Sequence, residues 1–165
     1  MNKVIVIGSP GAGKSTFARE LRDRTGLPLY YLDMIWHKAD RTNISVDELK
    51  EHLKEIIQKD CWIIDGNYSR TLPMRLEACD TVFLLDYPLE VCLQGIQERV
   101  GTEREEMPWT EDELDPEFRQ FVIDFPQNRL PRIYELLNEY RDKRNIIVFH
   151  SRPEAREFLT ALNHN

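Results

Sequence analysis

The residues best suited to chemistry stand near the start of the chain. Gly8, Ser9, Pro10, Gly11, Ala12, Gly13, Lys14 and Ser15 match the pattern GxxxxGK[ST] at every fixed position. Each fixed residue type has a physical task. Consecutive backbone N–H groups must turn inward to surround phosphate oxygens, and glycine permits the φ angles and close approach this needs. A helix beginning near Lys14 adds the positive end of its dipole. On this pattern Lys14 reaches the β- and γ-phosphates of a nucleotide, the Ser15 hydroxyl is a Mg²⁺ ligand and Thr16 contacts the α-phosphate. Chance matches in a chain of this size come to under about one in a hundred. ATPases, GTPases and kinases share the loop, so it points to nucleotide binding before it points to a reaction.

Three acids stand at the ends of short apolar runs. Asp33 follows Tyr30, Tyr31 and Leu32; Asp65 follows Cys61, Trp62, Ile63 and Ile64; Asp86 follows Val82, Phe83, Leu84 and Leu85. Ligands of a parallel sheet bind at the carboxyl ends of its strands, so each acid is a candidate. Asp65 best suits a Walker B acid that holds Mg²⁺ through water, with Gly66 allowing a sharp turn after it. Asp33 suits the acceptor, whose hydroxyl proton it would take or which it would orient. Asp86, followed by Tyr87 and Pro88, reads more simply as a turn cap. Residues 66–71 form a polar loop in which Arg70 is the candidate grip for an anionic acceptor. Trp36 and His37 follow Asp33 and suit either an acceptor pocket or the core.

The elements that must position these residues alternate along the chain. Strands are predicted at 4–7, 27–32, 61–64, 81–85 and 145–149, from short apolar or β-branched runs. Helices are predicted at 14–24, 46–58, 89–100, 117–125, 128–141 and 153–162, from apolar spacing; Ser45 and Glu48 make a capping box for the second of these. Strands alternating with helices imply an α/β fold on a parallel sheet with right-handed crossovers. No repeat or linker divides the chain, so one domain is expected. Residues 101–116 break the pattern. They are polar, punctuated by Gly101, Pro108 and Pro116, and long for a connection, which suggests a lid or a surface insertion. Trp109 is unusual there and would pack on the body or on a partner.

Composition narrows the function classes. The net charge of −7 disfavours a protein that holds nucleic acid through phosphates. No run is long enough to span a bilayer. The run before Gly8 is too short for a signal-peptide core, so a cytoplasmic protein is expected. Cys61, Cys79 and Cys92 lack metal or disulfide spacing and read as free thiols; His52, His150 and His164 show no metal spacing.

With these residues in place, the chain resembles the adenylate-kinase-related family of topology modulation (FlaR-type) proteins. The likeness rests on residues 8–16, then Tyr31, Leu32, Asp33 and Trp36, then residues 62–71. Arg75, Leu76, residues 80–88 and residues 124–132 also fit. Residues 65–70 resemble the Asp-Gly-Phe-Pro-Arg segment of adenylate kinases, and by that likeness Arg70 faces the acceptor. The resemblance implies a three-layer P-loop fold like that of nucleoside-monophosphate kinases, with a five-stranded parallel sheet of order 2-3-1-4-5. It also implies ATP binding and kinase activity. One departure stands out: residues 101–116 hold Arg104 against Glu103, Glu105, Glu106, Glu111, Asp112, Glu113 and Asp115. The remaining arginines that would close over the phosphates are Arg99, Arg104, Arg129 and Arg132, the last two expected one turn apart on a helix.

The expectation is therefore a small kinase that uses ATP and Mg²⁺, acts on a small acceptor such as a nucleoside or nucleotide, and exists as a monomer or homodimer. Its rival is a nucleotide-dependent switch or slow NTPase acting through a partner, with a possible link to DNA topology. A direct DNA-binding role is the weakest reading because of the charge.

Overall fold

In the computed structural model, residues 1–162 are described; His164 lies outside them. The five strands are β1 (Lys3–Gly8), β2 (Leu29–Tyr31), β3 (Trp62–Asp65), β4 (Thr81–Leu85) and β5 (Asn145–Phe149). All pair in parallel, in the order β2-β3-β1-β4-β5. The apolar runs at the centres of these strands explain why: a parallel sheet buries both faces. Alternate side chains go to opposite faces. Ile5, Ile7, Trp62, Ile64, Val82 and Leu84 join one core cluster with Leu49, Leu53, Leu76 and Leu137. Val4, Val6, Ile63, Phe83 and Leu85 join another with Phe17, Leu21, Ile96 and Leu159. Phe17, Phe83, Phe149 and Phe158 anchor that second layer, with ring centroids 5.1–5.9 Å apart.

The helices are α1 (Lys14–Thr25), α2 (Leu32–Trp36), α3 (Val46–Ile57), α4 (Leu72–Ala78), α5 (Leu89–Glu98), α6 (Pro116–Asn128), α7 (Leu130–Glu139) and α8 (Arg152–Ala161). The Ser45 cap of α3 is present, its hydroxyl accepting from the Glu48 amide at 3.1 Å. Three differences from the sequence expectation have physical causes. β2 is shorter than residues 27–32. Pro28 cannot donate to the ladder, though its carbonyl accepts from the Ile63 amide at 2.7 Å, and Leu32 already begins α2, a helix too short to show a period. α4 follows a 3-10 turn (Ser69–Thr71) that the sequence reads only as loop; Pro73 sits in its first turn, where a missing N–H is harmless. Arg129 and Arg132 do not share one helix. Arg129 lies at the joint between α6 and α7, and Pro131 opens α7.

Residues 101–115 are irregular and cross the carboxyl end of the sheet. Three of their acids, Glu105, Glu106 and Glu111, are held by arginines. Glu106 is buried and pairs with Arg19 of α1 at 2.9 Å and with Arg104 at 3.5 Å. Glu105 pairs with Arg22 at 3.2 Å and accepts from the Tyr31 hydroxyl. Trp109 packs edge-on against His37, 5.0 Å between centroids, under the Arg41 guanidinium. Among the described residues no helix is long and apolar enough to cross a membrane.

Candidate active site

β1 ends at Gly8, and the chain turns through residues 9–13 into α1. The Ser9 amide is anchored on the Leu85 carbonyl at 3.1 Å, and the Ala12 amide closes a turn onto the Ser9 carbonyl at 3.1 Å. No side chain caps α1 and no acid occupies its first turn. Its first amides are left for an anion. The loop also sits directly against α5. A Cβ on Gly11 would lie 2.1 Å from the Cys92 carbonyl oxygen, and one on Gly95 would lie 2.0 Å from the Gly11 oxygen. Two glycines from separate elements therefore allow a backbone contact no other residue would permit.

Lys14 extends along this loop, its Nζ donating to the Ser9 carbonyl at 3.2 Å. Burial lowers its pKa, and the nearby Asp65 works against that shift. Ser15 Oγ donates to Asp65 Oδ2 at 2.6 Å. Asp65 Oδ1 is buried and has no hydrogen-bond partner among the described residues. Burial pushes the Asp65 carboxyl up to about 6, with Lys14 and the Ser15 hydrogen bond opposing the rise. A hydroxyl and an orphaned carboxylate oxygen side by side fit Mg²⁺, which takes one or two protein oxygens and keeps several waters.

On the other side of Lys14 and Asp65 lies Asp33, whose Oδ1 accepts from the Tyr68 hydroxyl at 2.5 Å, with His37 Nε2 at 4.0 Å. Burial, then Asp33 itself, raises the Tyr68 pKa, so the phenol stays a donor. Tyr68 adopts φ 34°, an uncommon left-handed conformation for an aromatic residue. The loop is held in this shape by two side chains. Asn67 clasps Gly8, accepting from its amide at 3.0 Å and donating to its carbonyl at 2.7 Å. Arg75 is fully buried and donates to the Gly66 carbonyl at 2.8 Å, the Tyr68 carbonyl at 3.2 Å, the Asn67 carbonyl, and Thr71 Oγ1 at 3.1 Å.

Two cavities meet here. One, of about 390 Å³, runs from Gly11, Gly13 and Thr16 to Arg152 and Arg156 of α8. The other, of about 180 Å³, is lined by Lys14, Asp33, Asp65, Asn67, Tyr68 and Phe118, among others. Ser15, Arg99, Arg104 and Glu106 line both.

The structure thus brings the loop, Asp33, Asp65, Arg99 and Arg104 together. It does not bring Arg70, Arg129 or Arg132 with them. Arg70 lies exposed on the 3-10 turn and lines neither cavity, because Arg75 fills the inner position. Arg129 stacks over Phe121 at 5.6 Å, and Arg132 pairs with Glu135 at 3.1 Å on the exposed side of α7. Asp86 is not a local turn cap. Its Oδ2 accepts from the Tyr134 hydroxyl at 2.5 Å and faces His150 at 3.8 Å. Trp36 packs on Tyr68, with centroids 5.7 Å apart. His52 is exposed; Cys79 and Cys92 are buried free thiols and Cys61 is half-buried. Sequence reading missed the roles of Asn67, Tyr68, Arg75, Gly95 and Glu106. The position of Asn67 and Tyr68 directly after Asp65 was the available signal for the first two.

No family model matches the chain. Among curated proteins, an adenylate kinase from Thermotoga neapolitana is 33% identical over 94 residues, covering 55% of this chain. The chain spans 42% of that relative's length. Among solved structures, a shikimate kinase from Bacteroides thetaiotaomicron superposes with a TM-score of 0.61 at 14% identity, covering 96% of this chain and 94% of that one. A gluconokinase from Sinorhizobium meliloti gives 0.57 at 13% identity, covering 96% and 87%. The sheet order of this chain, its helices on both sides of the sheet and these superpositions show that it has a P-loop kinase-like fold.

Proposed function

We propose that the protein is a small kinase that moves the γ-phosphate of ATP to a small acceptor, as a single domain with residues 101–116 as its lid. The observation that carries this reading is that Asp33 lines a second cavity, which meets the first at Ser15, Arg99, Arg104 and Glu106. The glycine loop and Ser15–Asp65 pair suit any nucleotide hydrolase. A second carboxylate facing a second cavity, across Lys14, Arg99 and Arg104, suits transfer to a bound alcohol.

The roles follow from position. The amides of residues 8–16 hold the triphosphate in the larger cavity, and Lys14 meets its γ-phosphate end where the smaller cavity joins it. Ser15 and Asp65 would hold Mg²⁺, which would supply positive charge against the phosphates. Arg99 and Arg104 lie where the two cavities join and stabilise charge on the moving phosphoryl group. Asp33 receives the acceptor's proton, and Tyr68 fixes its orientation. Arg70, Arg129 and Arg132 are left outside this set. The name topology modulation protein and any tie to DNA topology add nothing to this chemistry.

The second reading, a switch or slow NTPase, is favoured by one observation. Arg104 is engaged by Glu106 and by Glu111 at 3.7 Å, so the excursion's lone arginine is partly occupied. Turnover of γ-labelled ATP, with and without a panel of hydroxyl compounds, separates the two. The kinase reading expects label in an acceptor, lost in Lys14→Ala. Hydrolysis that no acceptor accelerates favours the switch.

A further inference from the structure

The acceptor cavity says what kind of acceptor it takes. Its charged lining divides into Asp33, Asp65 and Glu106 against Lys14, Arg99 and Arg104. All three cations have work on the nucleotide side. Lys14 lies along the phosphate loop, Arg99 and Arg104 also line the larger cavity, and Arg104 is paired with Glu106 and Glu111. Two further arginines belong to the adjoining loop and helix, and neither is free to receive an anion there. Arg75 is fully buried with its nitrogens taken up by three carbonyls and Thr71. Arg70 is exposed and lines neither cavity. The acceptor's own surroundings are therefore Asp33, Tyr68, Asn67 and Phe118, one acid with polar and aromatic neighbours.

On the basis of the kinase reading above, we infer that the acceptor is a small alcohol bearing no phosphate or carboxylate, an uncharged polyol or a cationic amino alcohol. An anionic acceptor would meet the Asp33 carboxylate with no cation of its own, next to a triphosphate that already uses the available positive charge. In the reaction, the acceptor hydroxyl oxygen bonds to the γ-phosphorus. The bond from that phosphorus to the β,γ-bridging oxygen breaks, ADP leaves with the electron pair, and the hydroxyl proton passes to Asp33.

The test is transfer from γ-labelled Mg·ATP to matched pairs: sugar alcohols with the corresponding sugar acids, amino alcohols with the corresponding hydroxy amino acids, and nucleosides with their monophosphates. The wild-type protein should label a polyol or amino alcohol with a kcat/KM at least about tenfold above its anionic partner. Asp33→Asn should lower kcat by about 10²-fold or more, while the anionic members bind several-fold more tightly. Preferred labelling of a nucleoside monophosphate or hydroxy acid overturns the inference. So does a panel in which anionic members are labelled and no polyol or amino alcohol is. Failure of the parent kinase reading looks different: Mg·ATP then binds or is hydrolysed, but no member of the panel, charged or uncharged, is labelled.

Discussion

Asp65 is placed at odds with its own solvation. It is buried beside Ser15 and Lys14, one of its oxygens has no partner, and its pKa rises to about 6 chiefly through burial. Because the folded pKa lies above the ordinary 3.8, the folded state holds that proton more tightly than the unfolded chain does. This contribution to stability is fully present below about pH 4 and is lost as pH rises through about 6. Asp65→Asn should therefore make the nucleotide-free protein more stable at pH 7.5, by up to ~3 kcal/mol, and the gain should fade below about pH 4. Urea unfolding across pH checks this; a gain that does not change with pH contradicts it. The same variant should lose Mg²⁺-dependent turnover. Arg75 makes the opposite case. Its burial is compensated by four acceptors, and Arg75→Met should cost ~3 kcal/mol or more by leaving carbonyls of residues 66–68 unpaired. An unchanged unfolding midpoint would exclude that clamp. Asp65 was legible in the sequence because four apolar residues and a glycine frame it. Arg75 was not, since its partners are backbone carbonyls, which leave no trace in residue types. A likeness between short segments could not say that Arg75 is the buried arginine and Arg70 the exposed one.

Among the elements, the contact between the phosphate loop and α5 is the most sensitive. Gly11 and Gly95 meet with no room for a methyl group. Gly95→Ala should push α5 off the loop, destabilise the protein by ~1–3 kcal/mol and weaken Mg·ATP binding. Thermal unfolding paired with nucleotide titration would show both; normal ATP affinity in a folded Gly95→Ala protein would mean the loop does not depend on α5. The sequence could not reveal this, because a glycine inside a helical pattern signals only weak propensity. β1, β3, β4 and β5 were legible within a residue or so, since strands buried on both faces write themselves as apolar runs. β2, α2 and α4 were blurred by their brevity. The division of α6 from α7 turned on Pro131 and on Arg129, whose φ of −119° interrupts the helical run. The irregular stretch over residues 101–115 was legible as an excursion. That Glu106 and Glu105 pair with Arg19 and Arg22 of α1 was not, because nothing local relates those segments.

At the scale of the molecule, the parallel sheet brings the glycine loop, Asp33 and Asp65 to one edge. Strand alternation and the loop motif dictated the fold class; the strand order came from family resemblance and is the order observed. The acceptor cavity was outlined only by Asp33, since its walls come from loops far apart in the chain. Everything proposed for the site depends on the loop receiving a triphosphate with Mg²⁺. Calorimetric titration of the purified protein with Mg·ATP measures this most directly. The account predicts one binding event per chain, lost in Lys14→Ala while that variant stays folded. Absence of heat with Mg·ATP in the folded wild-type protein, or undiminished binding by Lys14→Ala, would contradict it.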